Sequence, residues 1–100
     1  MRTVPVVCLT IVAEAVVEAR LLRDLETAGV RGWTLTSGRG RGTSQIGASD
    51  WEGANLRIET LLSSAAADRV LAMLAELYFP RFSVVAWVTP AQVVRGDRFP

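Results

Sequence analysis

The sequence predicts an α+β domain of ferredoxin-like βαββαβ architecture, a single sheet with two helices packed on one face. Four segments carry strand patterning, at residues 4–13, 32–36, 54–62 and 83–89. Two carry helical patterning, at 14–28 and from Ser63 to Pro80. Their order, β-α-β-β-α-β, with right-handed crossovers on one sheet, yields the split βαβ sandwich. One hundred residues make one domain, 1–100.

Residues 4–13, VPVVCLTIVA, are a β-branched apolar run in which both alternating sets are apolar. Such a strand is covered on both faces. In residues 14–28, Val17, Leu21, Leu22, Leu25 and Ala28 share one helical face, with Glu18, Arg20, Arg23, Asp24 and Glu26 on the others. This places Arg20 on an exposed face. Gly29 is a natural left-handed cap.

Residues 32–36, GWTLT, alternate Trp33 and Leu35 with Thr34 and Thr36, as a strand does. The segment 37–53 is rich in glycine, lacks periodicity and exceeds the usual hairpin loop of about 2–5 residues. Residues 54–62, ANLRIETLL, alternate cleanly. Ser63 or Ser64 caps the second helix, whose stripe is Val70, Leu71, Leu74, Leu77 and Tyr78, and Pro80 ends it. Residues 83–89 form the fourth strand, apolar on both faces, and Val93-Val94 suggest a short fifth. Helices cover one sheet face only, so the second face needs a cover. A copy of the same chain is the simplest one.

Half the residues are hydrophobic and 21% are charged, which makes a core-forming chain and not a disordered one. The net charge of +1 gives no global drive toward nucleic acid or membrane. All eleven cations are arginine, suited to bidentate recognition of phosphate and carboxylate. Histidine is absent and Cys8 is the single cysteine, which speaks against a transition-metal site and against a Ser-His or Cys-His nucleophile. Cys8 lies in an apolar run and reads as a buried structural thiol, in keeping with a cytoplasmic protein. Neither a signal peptide nor a membrane-spanning run is expected.

Several chemistries use this fold, and the residues discriminate among them. An RNA-binding domain needs exposed aromatics on its central strands, and residues 4–13 and 54–62 have none. A small phosphatase of the acylphosphatase kind cradles its anion after the first strand, where this chain reads Ala13-Glu14-Ala15. Asp50, Glu52 and Glu59 are conceivable acid/base groups, although acidic loop residues are mostly solvated. The remaining constellation is Gly38-Arg39-Gly40-Arg41-Gly42-Thr43-Ser44. Its glycines let backbone N–H groups approach an anion, two arginines add charge, and two hydroxyls add donors. It fits a phosphate cradle, and a solvated hairpin fits it equally.

Three runs, Gly32-Trp33-Thr34-Leu35-Thr36, Gly40-Arg41-Gly42-Thr43 and Asn55-Leu56-Arg57-Ile58-Glu59-Thr60, resemble the PII signalling superfamily in order and spacing. The segment 37–53 matches its T-loop. Tyr78-Phe79-Pro80-Arg81-Phe82 and the ending Val93-Val94-Arg95-Gly96-Asp97-Arg98-Phe99 resemble the PII-like branch tied to bicarbonate uptake and carboxysome operons. The resemblance implies a homotrimer that is not an enzyme, with adenine nucleotide (AMP, ADP or cAMP) in clefts between subunits and bicarbonate as a second ligand. Its T-loop would meet a membrane bicarbonate transporter or a carboxysome-related protein. By the same resemblance, Thr34 and Glu59 match positions near base and ribose, and Leu61 a backbone contact to adenine. Gly40, Arg41, Gly42, Thr43 and Ser44 match the phosphate-binding root of the T-loop. Arg95 matches a basic position after the last strand, with Arg98 close by.

The chain departs from nitrogen-sensing members of that superfamily. Their Gly-x-Gly-Lys phosphate loop is replaced by Arg81-Phe82-Ser83-Val84, and a Gln that helps hold magnesium and 2-oxoglutarate by Ser44. The expectation is a carbon-linked regulator that reads mono- or diphosphates. The alternatives are a small anion-binding, phosphatase-like enzyme of the same fold and a trimeric metal-tolerance-type protein.

Overall fold

A computed structural model describes residues 2–40 and 54–95. The first strand, β1, spans Val4–Glu14, followed by a single 3-10 turn, Ala15–Val17, and helix α1, Glu18–Thr27. Strands β2, Thr34–Arg39, and β3, Ala54–Leu62, come next, then α2, Ser64–Leu77, and β4, Val84–Val93. The sheet order is β2-β3-β1-β4, with every neighbouring pair antiparallel. This is the expected βαββαβ ferredoxin-like sheet.

Odd positions of β1 and even positions of β3 face the helices. Leu9, Ile11, Ala13, Leu56 and Ile58 are therefore buried against Leu21 and Leu25 of α1 and Ala67, Val70 and Leu74 of α2. Burying a Leu, Ile or Val side chain contributes roughly 1.5–3 kcal/mol, so this interleaved layer dominates the stability. The Ser63 hydroxyl accepts the Ala66 N–H at 3.2 Å and caps α2. Gly29 adopts φ 101°, the left-handed conformation that ends α1.

Several boundaries differ from the sequence reading. The first helix starts at Glu18, not at residue 14. Glu14 is the last residue of β1, and its buried carboxylate accepts the Ser83 N–H at 2.8 Å. That bond ties the entry to β4 onto the end of β1, which local helical periodicity does not reveal. The second strand runs to Arg39, because Ser37, Gly38 and Arg39 pair with Leu56, Asn55 and Ala54. The segment read as a loop from residue 37 thus begins after this pairing. The fourth strand begins at Val84 and reaches Val93, which pairs with Val4, so Val93-Val94 form no separate strand. Pro90 is tolerated within it because β4 is an edge strand.

Cys8 is only partly buried, contrary to the buried-thiol reading, because it points to the face without helices. On that face Arg57 stacks over Trp87 at 5.7 Å, and Val85 and Trp87 are exposed. The two-sided apolar character expected of β4 is therefore present and uncovered within one chain. Arg20, expected on an exposed helical face, lies over the rings of Tyr78 and Phe82 at 5.4 and 5.5 Å. Among the described residues, no helix is long and apolar enough to cross a membrane, and no group of three metal-ligating side chains occurs.

Candidate nucleotide-binding cleft

The site starts from how α1 hands over to β2. The helix ends on Gly29, and the Val30 N–H returns to the Leu25 carbonyl at 3.0 Å. Buried Val30 then anchors the connection in the core. The Thr60 hydroxyl donates to the Gly32 carbonyl at 2.6 Å and pins the same connection onto β3. Arg31, Gly32 and Trp33 are thereby laid beside the sheet edge just before β2 begins.

The first β2–β3 pair is Thr34 with Glu59. Strand β3 continues three residues further, through Thr60, Leu61 and Leu62, without a ladder partner on the β2 side. Backbone groups there are left for another partner. The space beside this edge is an open cleft of about 670 Å³, lined by the 29–34 connection, by residues 59–63 and by Ala66 and Arg69 of α2. Its size lies within the roughly 300–1,000 Å³ typical of small-molecule sites. Ser63, Ala66 and Arg69 recur every three residues, so they form the edge of α2 that faces the cleft.

Glu59 contributes the cleft's acidic group. Its Oε2 lies 3.7 Å from an Arg57 guanidinium nitrogen and 3.9 Å from the Cys8 thiol, which donates weakly. The Glu59 side chain is 44% exposed, so its other acceptor positions remain open to a ligand. A carboxylate beside an unpaired backbone edge offers both acceptors and donors, the combination that reads a nucleobase or ribose.

Of the residues named from the sequence, Thr34, Glu59 and Leu61 all line this cleft. Gly40 and Arg95 do not join them. Gly40 follows β2 at the end of the sheet where β3 begins, and a Cβ there would meet the Asn55 amide nitrogen at 3.0 Å. Arg95 follows β4 at the opposite end, where Val93 pairs with Val4. Ten residues of β1 separate those ends, about 33 Å at a strand's rise. One chain cannot bring Gly40 and Arg95 to a single small anion. Arg41, Gly42, Thr43, Ser44 and Arg98, together with Asp50 and Glu52, lie outside the described residues.

Sequence reasoning did not single out Arg31, Trp33, Thr60 or Arg69 as site residues. Trp33 was legible only as a strand residue. Arg69 lies off the apolar stripe of its helix, where a solvated face is the ordinary expectation.

The family model for Nitrogen regulatory protein P-II matches residues 7–98. The chain is 43% identical to a protein from Thermus thermophilus described as PII-like and signalling, over 100% of both chains, with a TM-score of 0.84. It also resembles CPII from Thiomonas intermedia in a structure bound to ADP, AMP and acetate. There the identity is 24%, over 99% of this chain and 98% of that one, with a TM-score of 0.85. A structure of the same protein bound to ADP and bicarbonate is 23% identical over 99% and 98%, with a TM-score of 0.83. Among curated protein sequences, none matches.

Proposed function

The chain belongs to the P-II family of nitrogen regulatory proteins, and from that premise we propose that it is a trimeric regulator, not a catalyst, that reads adenine nucleotides. AMP, ADP or cAMP occupies clefts between neighbouring subunits. The base and ribose lie on Thr34, Glu59 and the unpaired backbone edge at Leu61. The phosphates lie on Gly40, Arg41, Gly42, Thr43 and Ser44, with Arg95 and Arg98 arriving from the adjacent copy. Bicarbonate is the second ligand, and the segment that follows β2, up to residue 53, carries the signal to a membrane bicarbonate transporter or a carboxysome-related protein in the cytoplasm.

The observation that carries this reading is the placement of Gly40 and Arg95 at opposite ends of one sheet. Residues so far apart meet one ligand only when two copies of the chain supply them. The exposed Val85 and Trp87 give a second copy an apolar face to cover. The ligands named for the Thiomonas protein, ADP, AMP and bicarbonate, supply the chemical class.

Calorimetric titration with AMP, ADP, cAMP and ATP tests it. Wild type should bind at least one of them. Arg41→Ala should lose roughly ten- to hundredfold in affinity, the worth of a charge-assisted hydrogen bond. Gly42→Val should lose as much by steric exclusion. Arg23→Ala, on an exposed position of α1, should change nothing. No binding by wild type, or wild-type affinity in Arg41→Ala, overturns the assignment.

A further inference from the structure

The cleft holds more positive charge than the base-and-ribose reading uses. Arg31, from the α1–β2 connection, and Arg69, from α2, both line it. They come from different elements and line the same space. Among the described residues neither pairs with a carboxylate, whereas Arg20 and Arg57 do. Between them in sequence stands Trp33, 46% exposed and also in the cleft wall. An exposed tryptophan offers a planar face on which a heteroaromatic ring stacks.

The glycine-rich stretch does not serve this space through the sheet. Thr34 is at the cleft, and Arg39, five residues on, marks the far end of β2. That is about 17 Å along an extended strand.

We propose that Arg31 and Arg69 form a second oxyanion subsite in the cleft, distinct from residues 40–44. The subsite takes a separate small phosphoryl-type oxyanion, since the nucleotide's own phosphates lie on residues 40–44. Two guanidinium forks from different elements suit the several acceptor oxygens of such a group. The subsite stands independently of the nucleotide reading above.

The test follows the side-chain Nε–Hε signals of Arg31 and Arg69 by NMR in the whole protein, assigned by their loss in Arg31→Gln and Arg69→Gln. The protein is titrated separately with AMP and with inorganic phosphate. Both signals should move with phosphate, and Arg31→Gln/Arg69→Gln should bind phosphate roughly ten- to hundredfold more weakly by calorimetry. Movement with AMP alone would put the nucleotide's own phosphoryl group there and overturns the separate subsite. If phosphate moves neither arginine, the subsite is overturned, while nucleotide binding stands or falls on the calorimetric titration above. Wild-type affinity of the double variant for phosphate also overturns the subsite.

Discussion

The Tyr78 hydroxyl donates to the Asp24 carboxylate at 2.5 Å, joining the end of α2 to the last turn of α1. Tyr78 is fully buried, and Arg20 closes the cluster, 3.9 Å from Asp24 and stacked over the Tyr78 ring. The two helices are separate in sequence, and this contact fixes how they lie side by side on the sheet.

Replacing Tyr78 by Phe keeps the ring and removes the donor. A hydrogen bond to a partly exposed carboxylate is worth about 1.5 kcal/mol. Urea unfolding of Tyr78→Phe should show a midpoint lowered accordingly with an unchanged slope. An unchanged midpoint would mean that the bond is not maintained in solution.

Burial, and then the hydrogen bond and negative charge of Asp24, push the Tyr78 phenol well above the usual tyrosine range, with Arg20 opposing. The unfolded tyrosine ionises near pH 10, while the native one keeps its proton. The unfolded state therefore binds fewer protons above that pH, and stability falls as pH rises through it. Below it the contribution is complete. Tyr78 is the chain's single tyrosine, so its absorbance reports this directly. Tyrosinate absorbance should be absent from the native protein at pH 10–11 and appear on unfolding.

Gly29 at φ 101° has open space beside it, with nothing within 4 Å of where a Cβ would stand. The penalty for Gly29→Ala is therefore one of backbone conformation, about 1–2 kcal/mol. Gly29→Asn should cost less, since Asn tolerates this region. Thermal melts of the two variants check the order.

Leu74 is completely buried between α2 and the sheet. Leu74→Ala should lose about 2–5 kcal/mol through transfer and cavity terms. Chemical denaturation measures this, and a loss well below that range would contradict the packing.

Trp87 is 41% exposed on the helix-free face. Trp87→Glu should weaken self-association while the far-ultraviolet circular dichroism of each chain persists. Light scattering that shows wild type as a single chain, or an unweakened assembly in the variant, would contradict a role for this face in assembly.

The sequence by itself determined the order of elements and the core. Alternation in residues 54–62 and the Val70, Leu71, Leu74, Leu77, Tyr78 stripe assign faces through side-chain periods of two and 3.6. Leu56, Ile58, Thr60, Leu62, Val70, Leu74 and Tyr78 are buried as expected, while Leu71 and Leu77 are partly buried against them and Ala54 is exposed. Gly29 and Ser63 announced their caps because each capping geometry demands a particular residue type. Thr34, Glu59 and Leu61 were legible through family-like motifs, and they share one cleft. The strand ends were not legible. Glu14 and residues 37–39 join strands because partners distant in sequence accept their backbone and side-chain hydrogen bonds, and no local pattern encodes a distant partner. The same holds for the chemistry. Only the antiparallel order places Gly40 and Arg95 at opposite ends of the sheet, and only the turn after Gly29 brings Arg31 into the cleft that Arg69 of α2 also lines. Residue type determined which groups carry positive charge, and the tertiary fold decided which of them share a cleft, because side-chain reach is short and pairing alone sets distance.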